Sequence, residues 1–240
     1  MVLMDKVANR GVAVALAGAS LLGLTLAFAP TSRAEPAVPL PPPVASEASK
    51  GAVEKVVLAG GCFWGVQAVF QHVKGVTEAV SGYAGGKANT ATYPQVSTGL
   101  TGHAESVEVT FDPRVVSYGT ILQIYFSVAH NPTELNYQGP DEGTQYRSEV
   151  FYENDDQRRV AEAYIHQLDA AKSFGAPVVT KVEALSGFYP AEAHHQNYAT
   201  LNPNSPYIAY NDAPKVENLS RLFPQIYQAA PKLVTVAGVN

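Results

Sequence analysis

The chain is expected to fold as an α/β two-layer sandwich with a mixed sheet and a ferredoxin-like core, because its segments run strand, helix, strand, strand, helix, strand. Two observations carry that order. Apolar residues alternate in some stretches and recur at helical spacing in others, the signatures of strand and helix. Glycines, prolines and asparagines punctuate the changes from one period to the other.

Residues 53–59 are a short Val-rich run that reads as a buried strand, ended by Gly60-Gly61. A helix should start at Phe63 or Trp64, since Phe63, Val66, Phe70 and Val73 keep helical spacing until Gly75. Residues 76–82 suit a second strand. The Gly- and Thr-rich stretch 82–102 reads as a long loop, and loops of that length in a compact domain are usually functional. Residues 105–111 alternate cleanly, with Val107, Val109 and Phe111 on one face, and the period of two puts Glu105 on that same apolar face.

Ser117 is placed to cap a helix whose stripe is Tyr118, Ile121, Leu122, Tyr125 and Phe126, ending near His130-Asn131-Pro132. A loop over 131–147 leads to a strand at 149–153. Asn154 caps the next helix, carrying Val160, Tyr164, Leu168 and Ala171 with Gly175 past its end. Residues 178–185 read as a further strand, and Pro190 as the opening of a short helix through His194, His195 and Tyr198.

Of the 240 residues, 46% are hydrophobic and 15% charged, which excludes disorder and suffices for one globular domain. A formal net charge of -5 with no block of Lys or Arg excludes an electrostatic footprint for nucleic acid or anionic lipid. Cys62 is the single cysteine, so neither an intrachain disulfide nor a Cys-based zinc site can be built.

Residues 1–34 read as a signal peptide. Lys6 and Arg10 precede an uncharged Ala-, Leu- and Val-rich run at 11–29, and Ala27-Phe28-Ala29 and Ser32-Arg33-Ala34 offer small residues for cleavage. Export to the periplasm is the expectation; the alternative is a membrane anchor formed by 11–29, a run close to the ~20 residues that span a bilayer. Residues 35–52, with Pro36, Pro39, Pro41, Pro42 and Pro43, read as a Pro-rich linker of extended chain with little to bury. The folded domain should occupy 53–228, leaving 229–240 as a C-terminal tail.

Chemistry first outweighs packing at Gly60-Gly61-Cys62-Phe63-Trp64-Gly65. A cysteine between a buried strand and a helix start meets unpaired amides and the helix dipole, which should lower its pKa, and the flanking glycines let a substrate approach the sulfur. The plainer possibility is a small buried hydrophobe. Glu105, on an apolar face, should hold its proton at neutral pH and serve as a general acid, unless it curls out to water beside Gly102-His103. Tyr93, Tyr146 and Tyr83 lie in or beside loops where a phenol can aim its O–H into a cleft, though most of the 13 tyrosines must be structural. His194 and His195, with His130 or Glu192, invite a metal reading, but adjacent helical positions point about 100 degrees apart and no ligand spacing of a known kind appears.

Four blocks now stand in order: Gly61-Cys62-Phe63-Trp64-Gly65; Gly102-His103-Ala104-Glu105; residues 139–148, Gly-Pro-Asp-Glu-Gly-Thr-Gln-Tyr-Arg-Ser; and Ala191-Glu192 with His195-Gln196-Asn197-Tyr198. Together they resemble the motifs of the A-type peptide methionine sulfoxide reductases, here with a single catalytic cysteine and no resolving cysteine. The resemblance covers most of 53–205 and makes 53–228 the catalytic domain.

It implies thiol-dependent reduction of peptide-bound and free methionine S-sulfoxide, a repair of oxidised proteins. Cys62 is implied as the nucleophile, Glu105 as the acid that protonates the sulfoxide oxygen, and Tyr93 and Tyr146 as the phenols that hydrogen-bond that oxygen. Phe63 and Trp64 match the aromatic wall that receives the methyl group; Asp141 and His195 match supporting residues of the substrate site. No bound cofactor and no metal are implied. Because no second cysteine is available, the Cys62 sulfenic acid must be reduced by an external thiol, whether a thioredoxin-like protein, a glutaredoxin-like protein or a small thiol. Partners are then oxidised proteins and peptides and a thiol reductant, with no nucleic acid, and the chain is expected to be a monomer. Asn131 and Tyr137 depart from the family's usual Asp and Arg.

Two other functions compete. A cysteine hydrolase would use Cys62 with His194 or His195 as base and Asn197 or Asp141 as orienter. A binding module for methionine-rich or sulfoxide-bearing segments would leave Cys62 inert.

Overall fold

The computed structural model describes residues 36–46 and 51–235; the signal-peptide or anchor reading of 1–34 lies outside the described residues. Strand β1 (Glu54–Gly60) feeds α1 (Phe63–Gln71), which returns through β2 (Val76–Ala84). A loop carrying the four-residue α2 (Tyr93–Val96) leads to β3 (Ala104–Phe111), and α3 (Tyr118–Ile124) continues as a π-helical turn over Tyr125–Ala129. Then come the two-residue strands β4 (Tyr137–Gln138) and β5 (Asp141–Glu142), β6 (Ser148–Tyr152), α4 (Asp155–Ala170), β7 (Lys181–Ala184) and β8 (Phe188–Pro190). Helices α5 (Tyr198–Leu201) and α6 (Ala213–Leu222) complete the order.

The main sheet has the order β7-β6-β1-β3-β2-β8. Within it β6-β1-β3-β2 is antiparallel throughout, with α1 joining β1 to β2 and α3 lying in the connection from β3 to β6, the strand order of a ferredoxin-like core; α4 follows β6 and leads to β7. β7 adds to β6 in parallel, which makes the sheet mixed.

β1 lies at the centre, and its continuous apolar run reflects burial on both faces. Val56 and Leu58 join the main core under the helices, while Val57 and Ala59 join Ala84, Ala104 and Phe151 on the other face. Every residue of α1 except Trp64 is buried. Two of those residues are polar, and each is satisfied. Gln67 donates to Ala79 O and to Gln196 Oε1, and Gln71 donates to Asn197 Oδ1. These amides clamp the segment 196–197 onto α1 and so fix the preceding His195. The caps are as the sequence predicts: Ser117 Oγ accepts from Thr120 N–H and Asn154 Oδ1 from Gln157 N–H.

Two expectations are corrected here, and one helix is added. Pro190 does not open a helix; it ends β8, an edge strand opposite Gly82, where a missing N–H breaks no ladder. The helical turns come later, at Ala193–His195 and in α5. The strand expected over 178–185 is only Lys181–Ala184, since Val178 and Val179 spend their amides on Asp169 and Pro132 instead. Helix α6 is an addition that the apolar pattern left unread.

The Pro-rich stretch is extended, as its prolines require, but it is laid against α3 and α4 as a strap. Val38 N–H donates to Ser127 O, while Gln123, Tyr164 and Gln167 donate to the carbonyls of Leu40, Pro41 and Pro42. Leu40 is buried. The tail is tied down as far as Val234, which exchanges two hydrogen bonds with the Asn197 side chain.

Candidate active site

The strand-to-helix junction sets Cys62 as the residue before the first turn of α1, free and 8% exposed. Gly61 has a φ of +83, and a Cβ there would lie 2.6 Å from Gln138 Cβ, so only glycine makes this turn beneath β4. Gly65, in the first turn, is equally constrained. A Cβ there would meet Asp212 Oδ1 at 2.2 Å and Lys215 Nζ at 3.0 Å.

Glu105 keeps to the apolar face that the period of two assigns it and is 2% exposed, so it does not curl out to water. Its Oε2 accepts the N–H of Phe63, the residue next to Cys62, at 3.1 Å. Burial pushes its pKa up to about 8, the neighbouring Asp141 and Asp212 charges add to the rise, and the Phe63 N–H opposes it. A carboxyl in this setting carries its proton at neutral pH.

The Cys62 thiol departs from expectation, for its pKa is pushed well up. Burial is the main cause, Glu105, Asp212 and Asp141 add to it, and the N–H of Trp64 is the one opposing contact. The helix start offers less than its position suggests because Glu105 has already taken the Phe63 amide. The resting sulfur is a thiol.

Tyr93 opens α2, and Tyr146 ends a single turn over Thr144–Tyr146. Both phenols share the electrostatic surroundings of Cys62, Glu105 and Asp141, and burial is the first cause that raises each pKa. Asp141, in β5, accepts a hydrogen bond from Tyr207 Oη. Burial raises its pKa, against the pull of that hydroxyl and of Lys215. The structure thus brings Cys62, Glu105, Tyr93, Tyr146 and Asp141 to one place.

Phe63 and Trp64 stand beside the sulfur in an aromatic cluster. Tyr198 stacks on Trp64 with ring centres 3.8 Å apart, Tyr207 meets it edge-on at 5.8 Å, and His195 packs 5.2 Å from Phe63 and 4.4 Å from Tyr93. His195 is 3% exposed, and neither of its ring nitrogens has a hydrogen-bond partner among the described residues. Burial first, then His194, lowers its pKa to about 4, so it is a neutral ring that fills space. That removes the base a cysteine hydrolase needs, since His195 bonds no nucleophile and His194 is exposed. Its candidate orienters are also occupied, because Asn197 is held by Gln71 and Val234 and Asp141 by the Tyr207 hydroxyl. No group of three or more metal-ligating side chains occurs among the described residues.

Four contributors escaped the sequence reading. Tyr198 and Tyr207 extend the aromatic wall, and Asp212 pairs with Lys215 at 3.5 Å behind Gly65. Burial raises the Asp212 pKa to about 6. Glu192, which stands in the last of the four motif blocks and is otherwise considered above only as a metal ligand, accepts from Tyr93 N–H and Tyr83 O–H. One signal was available: Asp212-Ala213-Pro214 is a helix-start pattern, with the proline at an allowed first-turn position.

Comparison with known proteins agrees with this geometry. The family model for peptide methionine sulfoxide reductase matches residues 54–226. The chain is 62% identical over 185 residues to peptide methionine sulfoxide reductase MsrA 2 of Mesorhizobium japonicum, covering 77% of this chain and 95% of that protein. Among solved structures, methionine sulfoxide reductase A of Corynebacterium diphtheriae superposes with a TM-score of 0.56 at 31% identity, covering 73% of this chain and 88% of that one. Reduced Mxr1 of Saccharomyces cerevisiae gives a TM-score of 0.58 at 28% identity, covering 67% and 91%. The chain belongs to the peptide methionine sulfoxide reductase family, enzymes that reduce methionine sulfoxide in oxidised proteins.

Proposed function

We propose that the chain reduces peptide-bound and free methionine S-sulfoxide with Cys62 as nucleophile, Glu105 as general acid, and an external thiol as the source of electrons. The observation that carries this reading is the placement of a protonated, buried carboxyl on the amide adjacent to the nucleophile.

The substrate methyl group lies against Phe63 and Trp64, an apolar and sulfur-friendly wall. The positive end of the S–O dipole then faces Cys62 Sγ, which favours the thiolate that burial alone disfavours. As Sγ attacks the sulfoxide sulfur, Glu105 gives its proton to the oxygen and the Tyr93 and Tyr146 hydroxyls stabilise the charge that develops there. The S–O bond breaks and the oxygen passes to Cys62. Methionine leaves with the two electrons that Cys62 has lost, and the thiol's own proton restores Glu105.

The Cys62 sulfenic acid remains. With no second cysteine in the sequence, an external thiol condenses with it, releasing water and forming a mixed disulfide. A second thiol displaces the first and returns Cys62 to the reduced state. A thioredoxin-like protein, a glutaredoxin-like protein or a small thiol meets that chemical requirement. Asp141 and His195 support the substrate site, the first by holding Tyr207 and the second by backing Phe63 and Tyr93.

The test uses the full chain, a peptide carrying resolved methionine S- and R-sulfoxides, and dithiothreitol, with mass spectrometry following loss of one oxygen. Loss from the S form alone, abolished by Cys62→Ser, is the expected result. No loss with dithiothreitol, with glutathione and glutaredoxin, or with thioredoxin and its reductase would overturn the reading. Export, suggested by the uncharged run at 11–29, is tested by cell fractionation and N-terminal sequencing; a monomer is expected on light scattering.

A further inference from the structure

We propose that Glu192 is the positioning residue for Tyr93, holding the four-residue helix that carries this phenol in register with the strand that carries Glu105. The proposal rests on the role given to Tyr93 above and adds what keeps Tyr93 in place.

Tyr93 needs an anchor. It stands on α2, a single turn within the loop between β2 and β3, and helices that short have no stability of their own in water. The turn also lacks its ordinary local cap. Thr92 occupies the capping position but accepts no backbone N–H, and its hydroxyl donates to Gln95 Oε1 instead. The first free N–H of the turn is instead taken up from 99 residues away, where Glu192 Oε1 accepts the Tyr93 N–H at 2.9 Å.

The other carboxylate oxygen fixes where that anchor sits. Glu192 Oε2 accepts the Tyr83 hydroxyl at 2.8 Å. Tyr83 is fully buried in β2, directly opposite Glu105 in the β2–β3 ladder, with its ring 5.9 Å from Phe63. One carboxylate therefore ties the phenol-bearing turn to a rigid strand position across from the acid. Its own backbone is held as well, because Glu192 O accepts from His195 N–H, and the His195 ring lies 4.4 Å from Tyr93. Both oxygens are engaged by donors, and only a carboxylate presents two acceptors at this spacing. A glutamine offers one acceptor and one donor, so one of the two donors, the Tyr93 N–H or the buried Tyr83 O–H, is left without its acceptor.

The distinguishing property of a positioning residue is that its effect disappears when the group it positions is removed. The experiment is a double-mutant cycle with Glu192→Gln, Tyr93→Phe and the pair, read as the single-turnover rate of oxygen loss from a methionine S-sulfoxide peptide under dithiothreitol. The rate of Cys62 alkylation by iodoacetamide and the thermal midpoint report whether each variant keeps the fold. Each single variant is expected to slow oxygen transfer at least tenfold, and the double variant to be no slower than Tyr93→Phe, with alkylation within about twofold of the parent. Multiplication of the two effects would overturn the proposal, as would a Glu192→Gln variant with parental rate. If Glu192→Gln does not fold, Tyr83→Phe takes its place: it removes one donor from the same carboxylate, and its effect must vanish in the Tyr93→Phe background in the same way. Tyr93→Phe at full rate would instead refute the role of Tyr93 itself, so the two failures are told apart.

Discussion

Replacing Glu105 by glutamine should make the protein more stable and nearly inactive, an opposition that follows from one buried carboxyl. With a pKa of about 8, Glu105 is about nine-tenths protonated at pH 7, against about 0.3% for an ordinary glutamate, so the fold enriches the acid form roughly 300-fold. Glutamine keeps the shape and the acceptor for Phe63 N–H but has no proton to give. Loss of a general acid lowers the rate of oxygen transfer by about 10²–10⁴-fold. The parent should also show a falling rate limb near pH 8 that the variant lacks. For stability the direction is fixed by proton binding. The folded pKa lies above the unfolded one, so the folded state holds more protons between about 4.5 and 8, and stability falls as pH rises through that window. Above it, the cost of the buried charge is on the order of 5 kcal/mol, and glutamine abolishes it. Urea unfolding at about pH 5 and about pH 9 separates the two proteins: similar midpoints at the lower pH, and a higher midpoint for Glu105→Gln at the upper. A variant less stable than the parent at high pH, or one that retains most of the oxygen-transfer rate, would refute the reasoning.

Other substitutions probe the frame around the site. Gly65→Ala drives a methyl group into the Asp212–Lys215 pair, and breaking a buried pair costs about 3–5 kcal/mol, so an unchanged urea midpoint would contradict the packing described. Tyr207→Phe strips Asp141 of its hydroxyl donor; it should raise KM for sulfoxide peptides while leaving Cys62 alkylation at the parental rate, as kinetics and mass spectrometry would show. Leu40→Ala should lower stability by about 2–3 kcal/mol and speed protease cleavage within residues 36–46, whereas a tether would show neither effect.

Much of the frame was readable because periodicity records burial directly. The alternation over 105–111 placed Glu105 on the core face, and Ser117 and Asn154 announced the helices they cap. What stayed hidden depended on partners distant in sequence. Nothing local says that the Glu105 carboxylate will consume the Phe63 amide, so the Cys62 thiol was expected to be acidic and is the reverse. Pro190 looked like a helix start because proline suits a first turn and an edge strand equally, and only the pairing with Gly82 decides between them. Tyr207, Asp212 and Lys215 belong to a segment whose apolar pattern is weak, and their meaning comes from α1.

The strap over α3 and α4 separates two boundaries that are easily treated as one. The family match begins at residue 54, yet residues 38–42 are already hydrogen-bonded to the domain. Prolines at 36, 39, 41, 42 and 43 leave this stretch little conformational freedom to lose, so its docking free energy is largely retained. A protein trimmed to the family boundary would leave the Tyr164 hydroxyl and the Gln123 and Gln167 amides without their carbonyl partners and open the slot that Leu40 fills. Its unfolding temperature would describe a different molecule, and shared ancestry is therefore a poor guide to where this chain can be cut.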